Sequence, residues 1–165
     1  MFRALVGRGA LLRFSPILWE TLINGLGARA GGVQESGAFL LTPKTRDGRT
    51  ITGVAYYDDL DAEALTHGIA LGPAAYSRLW RRCRQDAVKV AGDVHTHPGR
   101  FVCQSEIDRA NPMIALVGHV ALIVPDLARR PVVPRDVGVH CYEGSDWRSW
   151  CRGDASARLY VGRWA

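Results

Sequence analysis

Two histidines one residue apart, His95 and His97, are followed eleven positions later by Asp108. On a strand, residues i and i+2 project from the same face, so the two imidazoles converge on one point. A turn that returns Asp108 to that point makes three protein ligands for a borderline metal. Zinc held by His, His and Asp keeps its fourth position open for water, which is the arrangement of a catalytic rather than a structural site. Such a site lowers the pKa of the water towards about 7. A nearby carboxylate can then take the proton and pass it to a leaving amine.

The same residues admit plainer uses. Two histidines on a strand also suit a polar edge. Ser105-x-x-Asp108 fits a capping box, with Ser105 at the N-cap and Asp108 at the third helical position. Capping and catalysis are compatible, because a helix start presents polar groups to a site. Cys103, two residues before Ser105, reads as a small apolar filler rather than a group that tunes the site or gates it by oxidation. His140, Cys141 and Cys151 match no zinc-knuckle spacing. His67 and His119 have no partner visible in the sequence, and Trp147 and Trp150 read as core or edge packing.

The elements that position these groups follow from local pattern. Ser15 caps and Pro16 opens a helix whose Leu18, Leu22, Ile23 and Leu26 share one face, and Gly31-Gly32 ends it. Ala38 to Thr42 and Thr50 to Tyr57 read as strands joined through the turn-forming Asp47-Gly48, a hairpin. Asp58 to Gly72 is acidic and irregular and reads as an exposed loop or insertion. Gly72-Pro73 opens a second helix with Tyr76, Leu79, Trp80 and Cys83 on one face and arginines on the other. In the strand Val88 to His97, Val88, Val90 and Val94 are expected on one face and Asp93, His95 and His97 on the other. A short helix starts near Ser105 and is cut off by Pro112. Strands are expected at Val117 to Val124, Val137 to Tyr142 and Leu159 to Trp164. The irregular alternation of strands and helices favours an α+β fold with a mixed sheet.

The chain has 165 residues, 47% hydrophobic and 22% charged, with a mean hydropathy of -0.05. That suits one domain spanning residues 1–165 with a core of its own. No apolar run reaches the roughly 18 residues that would cross a bilayer. The opening MFRALVGRGALLRF is interrupted by arginines, which argues against a secretory signal peptide. With four cysteines, a reduced cytoplasmic protein is expected. The formal net charge is +5, but Lys44 and Lys89 are the only lysines among 21 basic residues. Arginine spread along the whole chain reads as codon bias rather than a nucleic-acid surface, so no nucleic-acid or membrane partner is expected.

Taken together, His95-x-His97-Pro98, seven residues from Pro98 to Gln104, and Ser105-x-x-Asp108 resemble the JAMM signature of the JAB/MPN metalloprotease family. That family pairs the motif with a glutamate on an early strand in an E-[ST]-G-x-x-L context, and Glu35-Ser36-Gly37-Ala38-Phe39-Leu40 stands in the corresponding place. The stretch Gly118-His119-Val120 to Pro125-Asp126 is also similar to small prokaryotic members. The resemblance runs from about Pro16 to Tyr142. It implies a curved, mixed, largely antiparallel sheet flanked by helices, with one zinc per chain on His95, His97 and Asp108. By the same likeness, Glu35 is the general acid/base that activates the metal-bound water, and Ser105 stabilises the oxyanion.

The implied activity is hydrolysis of the isopeptide or peptide bond after the C-terminal glycine of a ubiquitin-like protein. The implied setting is bacterial, beside activating and conjugating enzymes of the same operon, some of them in antiviral defence. Processing of a sulfur-carrier protein is the enzymatic alternative, and a non-catalytic MPN scaffold the third reading. The intact Glu35, His95, His97, Ser105 and Asp108 set argues against the scaffold. Two features depart from the family. Only nine residues separate Asp108 from Gly118, so the second substrate-gripping insertion is missing, and Asn111-Pro112 lies where the family continues its helix.

Overall fold

The computed structural model describes residues 9–163 and 165. Strands β2 (Gly37–Pro43), β3 (Gly53–Tyr56), β4 (Val88–Thr96), β5 (Val120–Val124), β6 (Gly138–Tyr142) and β7 (Trp147–Trp150) form one sheet in the order β3-β2-β4-β5-β6-β7. Only β4 and β5 run parallel within it; every other neighbouring pair is antiparallel. Strand β1 (Leu12–Phe14) pairs in parallel with β8 (Leu159–Val161) as a separate two-stranded sheet. The fold is therefore α+β with a mixed, largely antiparallel sheet. No helix among the described residues is long and apolar enough to cross a membrane.

The sheet is buried on both faces, and β2 shows why. Its residues alternate sides, with Ala38 and Leu40 entering one apolar cluster and Phe39 and Leu41 the other. The first cluster is closed by helix α1 (Pro16–Ala28), through Trp19, Leu22, Ile23 and Leu26, together with Leu12, Phe14 and Leu159. Ser15 caps α1 by accepting the Leu18 amide, and Pro16 stands in the first turn, as the sequence indicates. The second cluster is closed by α2 (Tyr57–Leu60) and α3 (Pro73–Gln85), through Tyr57, Leu60, Ala75, Leu79 and Cys83.

Four expectations need correcting. The acidic stretch from Asp58 to Gly72 is not a solvated loop. Leu60, Ala64 and Leu65 are buried in the second cluster, while Asp58 and Asp59 grip Arg29 just beyond α1 at 2.7 and 3.2 Å. Hydrophobics spaced among acids hid that packing. Trp80 is 40% exposed rather than part of the buried face of α3. Val88 and Val90 do not share a face with Val94. The pairing register of β4 on β2 shifts between Leu40 and Leu41, so Ala91 is an extra residue. That bulge rotates the strand, sending Val88 and Val90 to the second cluster and Val94 to the first. Finally, β5 begins at Val120, and Val117 is 76% exposed. Trp164, at the end of the last expected strand, lies outside the described residues, and that strand ends at Val161.

Gly37 is where two layers meet most closely. A Cβ there would lie 2.3 Å from Cε2 of Tyr57 and 2.7 Å from the Val94 carbonyl oxygen. The ring and the backbone of β4 are both buried and fixed, so neither gives way cheaply. Gly37→Ala is expected to lower the unfolding free energy by about 2 kcal/mol, within the usual range for an overpacked core. Urea denaturation measures it. A loss under about 0.5 kcal/mol, the scale of an ordinary surface change, would mean that the Tyr57 ring moves aside freely.

Candidate metal centre

His95 stands near the C-terminal end of β4, between Gly37 of β2 and Ile123 of β5. His97 follows just beyond the strand, its amide donating to the Val124 carbonyl at 2.9 Å. Asp108 lies on the five-residue helix α4 (Glu106–Ala110), which is capped as the sequence indicates. The Ser105 hydroxyl accepts the Asp108 amide at 3.1 Å, and the Ser105 amide donates to Asp108 Oδ2 at 2.7 Å. The helix ends at Ala110, with Asn111 as its C-cap and Pro112 next.

The structure brings His95, His97 and Asp108 together. The two Nε2 atoms lie 3.2 Å apart, with Asp108 Oδ1 3.5 Å from that of His95 and Oδ2 3.4 Å from that of His97. Three donors held about 2.0–2.1 Å from one tetrahedral ion sit about 3.3 Å from one another. The Nε2–Nε2 spacing fits that requirement, one Asp108 oxygen lies near each imidazole, and the donor set is one that zinc accepts. His97 also carries its own orienting partner. Its Nδ1–H donates to the Phe101 carbonyl at 2.8 Å, which fixes the tautomer and turns the lone pair of Nε2 towards the cluster. These three residues can hold a metal ion.

The electrostatics favour a charged Asp108 and a neutral His95 but push His97 towards its protonated form. Burial disfavours the charged form of Asp108. Its hydrogen bond to His97, the neighbouring His95 and two bonds from Ser105 outweigh that and hold the carboxyl well below the usual range. Burial lowers His95 despite the nearby carboxylates of Asp93 and Asp108. For His97, burial acts downward, but Asp108 and the Phe101 carbonyl together raise it.

Glu35 is not among these donors, but it lines the same cleft of about 370 Å³ with His95, Asp108, Asp93, Gln104 and Ile107. Ser36 holds it there. The Ser36 hydroxyl donates to the Leu26 carbonyl at 2.9 Å, its amide donates to Thr96 Oγ1 at 3.0 Å, and its carbonyl accepts the Thr96 amide at 2.9 Å. A larger groove of about 650 Å³, lined by Trp80, Lys44, Lys89 and Leu116 among others, contains none of the three ligands. Size therefore does not locate the chemistry here.

Several groups around the centre escaped the sequence. His119 donates from Nε2 to Asp93 at 2.6 Å in a pair that is 3% and 2% exposed, and the Tyr57 hydroxyl approaches the other Asp93 oxygen at 3.4 Å. Asp93 lies two residues before His95 on the same face, so spacing alone could have flagged it; His119, on another strand's approach, carried no local signal. His140 is fully buried. Its Nε2–H donates to the Val102 carbonyl at 3.0 Å and its Nδ1 accepts the Ser149 hydroxyl at 2.8 Å. Burial pushes its pKa down to about 4. His67 lines the cleft without a role in the ligand set.

Cys103 is not an apolar filler, and the four cysteines are not all reduced. Cys103 is joined to Cys151 in a disulfide, with Cα atoms 5.1 Å apart, while Cys83 and Cys141 are free. The partners are 48 residues apart in sequence, and only the folding of β7 against the loop before α4 brings them together.

No family model matches the chain. Among solved structures, protein DSY2949 from Desulfitobacterium hafniense superposes with a TM-score of 0.64 at 15% identity, over 91% of this chain and 92% of that one. A protein from Salinibacter ruber superposes with a TM-score of 0.56 at 19% identity, over 84% and 88% of the two chains. These likenesses are of fold alone. A JAB1/MPN domain protein from Archaeoglobus fulgidus aligns over 91% of this chain and 96% of its own, at 16% identity and a TM-score of 0.45, too loose a superposition to bear on function.

Proposed function

We propose that this chain is a zinc-dependent peptidase of the JAB/MPN type that hydrolyses the bond after the C-terminal glycine of a ubiquitin-like protein. The observation that carries the reading is the convergence of His95, His97 and Asp108, with ligand atoms within 4.8 Å of one another, beside a cleft that Glu35 also lines. A zinc ion on these ligands would supply Lewis acidity, polarising a carbonyl and acidifying a water.

The chain's own residues do the rest. The Glu35 carboxylate takes the proton of the attacking water and returns it to the departing amine nitrogen as the C–N bond breaks, leaving a carboxyl and a free amine. Ser105 is the candidate donor to the oxyanion. Its hydroxyl donates to Asp108 Oδ2 at 2.8 Å, and the Ser105 amide bonds the same oxygen at 2.7 Å. The hydroxyl can therefore swing to a substrate oxygen without leaving Asp108 unpartnered. His97 and His95 hold position from the strand end, and the capping box fixes the third ligand.

The test is mass spectrometry of products from ubiquitin-like and sulfur-carrier proteins, each fused through its C-terminal glycine to a second chain. Zinc-dependent cleavage immediately after the glycine is expected for the ubiquitin-like set. Replacing that glycine with a bulky residue should lower kcat/KM about a hundredfold by displacing the carbonyl. Cleavage of the sulfur-carrier fusions alone would move the assignment to that substrate class. Tight binding of intact fusions without metal-dependent product would make the chain a scaffold.

A further inference from the structure

The third ligand rides on a helix that packing does not hold. None of the five residues of α4 is buried, and Ile107 is 75% exposed. So short a helix has little stability of its own, and a segment with few buried apolar contacts opens readily. Its placement depends on tethers. At the C-terminal end, the Trp147 indole N–H donates to the Arg109 carbonyl at 3.1 Å, and Arg109 pairs with Asp146 at 2.6 Å. At the N-terminal end, where Asp108 points into the cluster, the chain from His97 to Ser105 is fastened to the sheet by His140 on the Val102 carbonyl and by the Cys103–Cys151 disulfide. The disulfide is two residues from Ser105, whose hydroxyl and amide orient Asp108. Both cysteines are half-buried rather than sealed in the core.

We propose that the Cys103–Cys151 disulfide is a thiol-controlled brace for the metal centre. Reduction frees the start of α4, lets Asp108 leave the His95–His97 pair, and weakens metal binding. The chemistry is a two-electron exchange. A dithiol attacks one sulfur, the S–S bond breaks, and the mixed disulfide resolves. Cys103 and Cys151 end as thiols carrying the two protons, and the dithiol ends as a disulfide. The inference rests on the metal reading of the site and adds to it a dependence on redox state.

Zinc affinity is measured by competition with a chromophoric chelator on three samples: the oxidised wild type, the wild type reduced by a trialkylphosphine and desalted without air, and Cys103→Ser/Cys151→Ser. Peptide mapping of the oxidised sample checks the bond. The reduced protein and the double variant should bind zinc at least tenfold more weakly, within the range for loss of an outer-shell support. Hydrogen exchange should show faster amides at residues 106–111 while β2 and β4 keep their protection. Equal affinity in all three samples overturns the brace but leaves the metal centre standing. Free thiols at both positions in protein kept under oxidising conditions also overturn it. Absence of zinc binding by the oxidised wild type sinks the metal reading itself, so the two failures are distinguishable.

Discussion

Glu35→Gln is expected to lower kcat/KM by about a hundred- to ten-thousand-fold, the usual worth of a positioned general acid/base, while zinc content and unfolding midpoint stay at their wild-type values. The separation follows from where Glu35 sits. It lies outside the donor triad but lines the same cleft, so removing its charge takes away a proton carrier and no ligand. Its backbone position depends on Ser36, which is clamped by Leu26 and Thr96, not on the Glu35 side chain. Gln preserves the volume and the hydrogen-bonding reach but cannot accept the proton. Steady-state kinetics, elemental analysis and thermal melting on the same preparation read the three quantities. Activity within threefold of wild type would assign the proton to another group, with Asp93, a buried carboxylate that also lines the cleft, the first candidate. Parallel loss of zinc and activity would instead make Glu35 a structural support.

What the sequence makes legible is whatever depends on spacing within one element. The cap and apolar face of α1, the hairpin of β2 and β3, the i, i+2 convergence of His95 and His97 and the capping box of Ser105 and Asp108 all lie within short windows. What it hides depends on two segments meeting. Alternating valines look the same with or without the bulge at Ala91, which only the pairing partner β2 reveals. The parallel pairing of β1 with β8 joins the two ends of the described chain. His119 looks partnerless until β5 is laid beside β4 and Asp93 comes within 2.6 Å. The cysteines mislead most, because counting and spacing describe a reduced chain while the bridge is made by tertiary approach. For the site, the ligands and the Ser105 cap lie in the motif itself, while Cys151, His140 and Asp146, which fasten the segment, come from elsewhere in the chain.

His97→Ala should abolish stoichiometric zinc, and its contrast with Asp108→Asn separates ligation from local folding. Two remaining donors cannot close a three-ligand site, so affinity should fall by more than the roughly 10–100-fold that an outer-shell loss costs. His97→Ala also removes the Nδ1–H bond to the Phe101 carbonyl, so the loop before α4 should exchange faster as well. Asp108→Asn removes the anionic ligand yet keeps an oxygen for the Ser105 amide, and the Ser105 hydroxyl still accepts the backbone N–H of residue 108. It should therefore lose zinc while α4 stays capped. The apo form of Asp108→Asn should melt somewhat below apo wild type at neutral pH, because the carboxylate held at a depressed pKa stabilises the fold and Asn gives that charge up. Zinc added to wild type should raise the melting temperature in proportion to the logarithm of its excess over Kd, and added to either variant should not, since a ligand stabilises only the state it binds. Elemental analysis, chelator competition and melting with and without zinc measure these outcomes. Retention of one zinc per chain by His97→Ala would place the metal elsewhere and remove the basis for the peptidase mechanism.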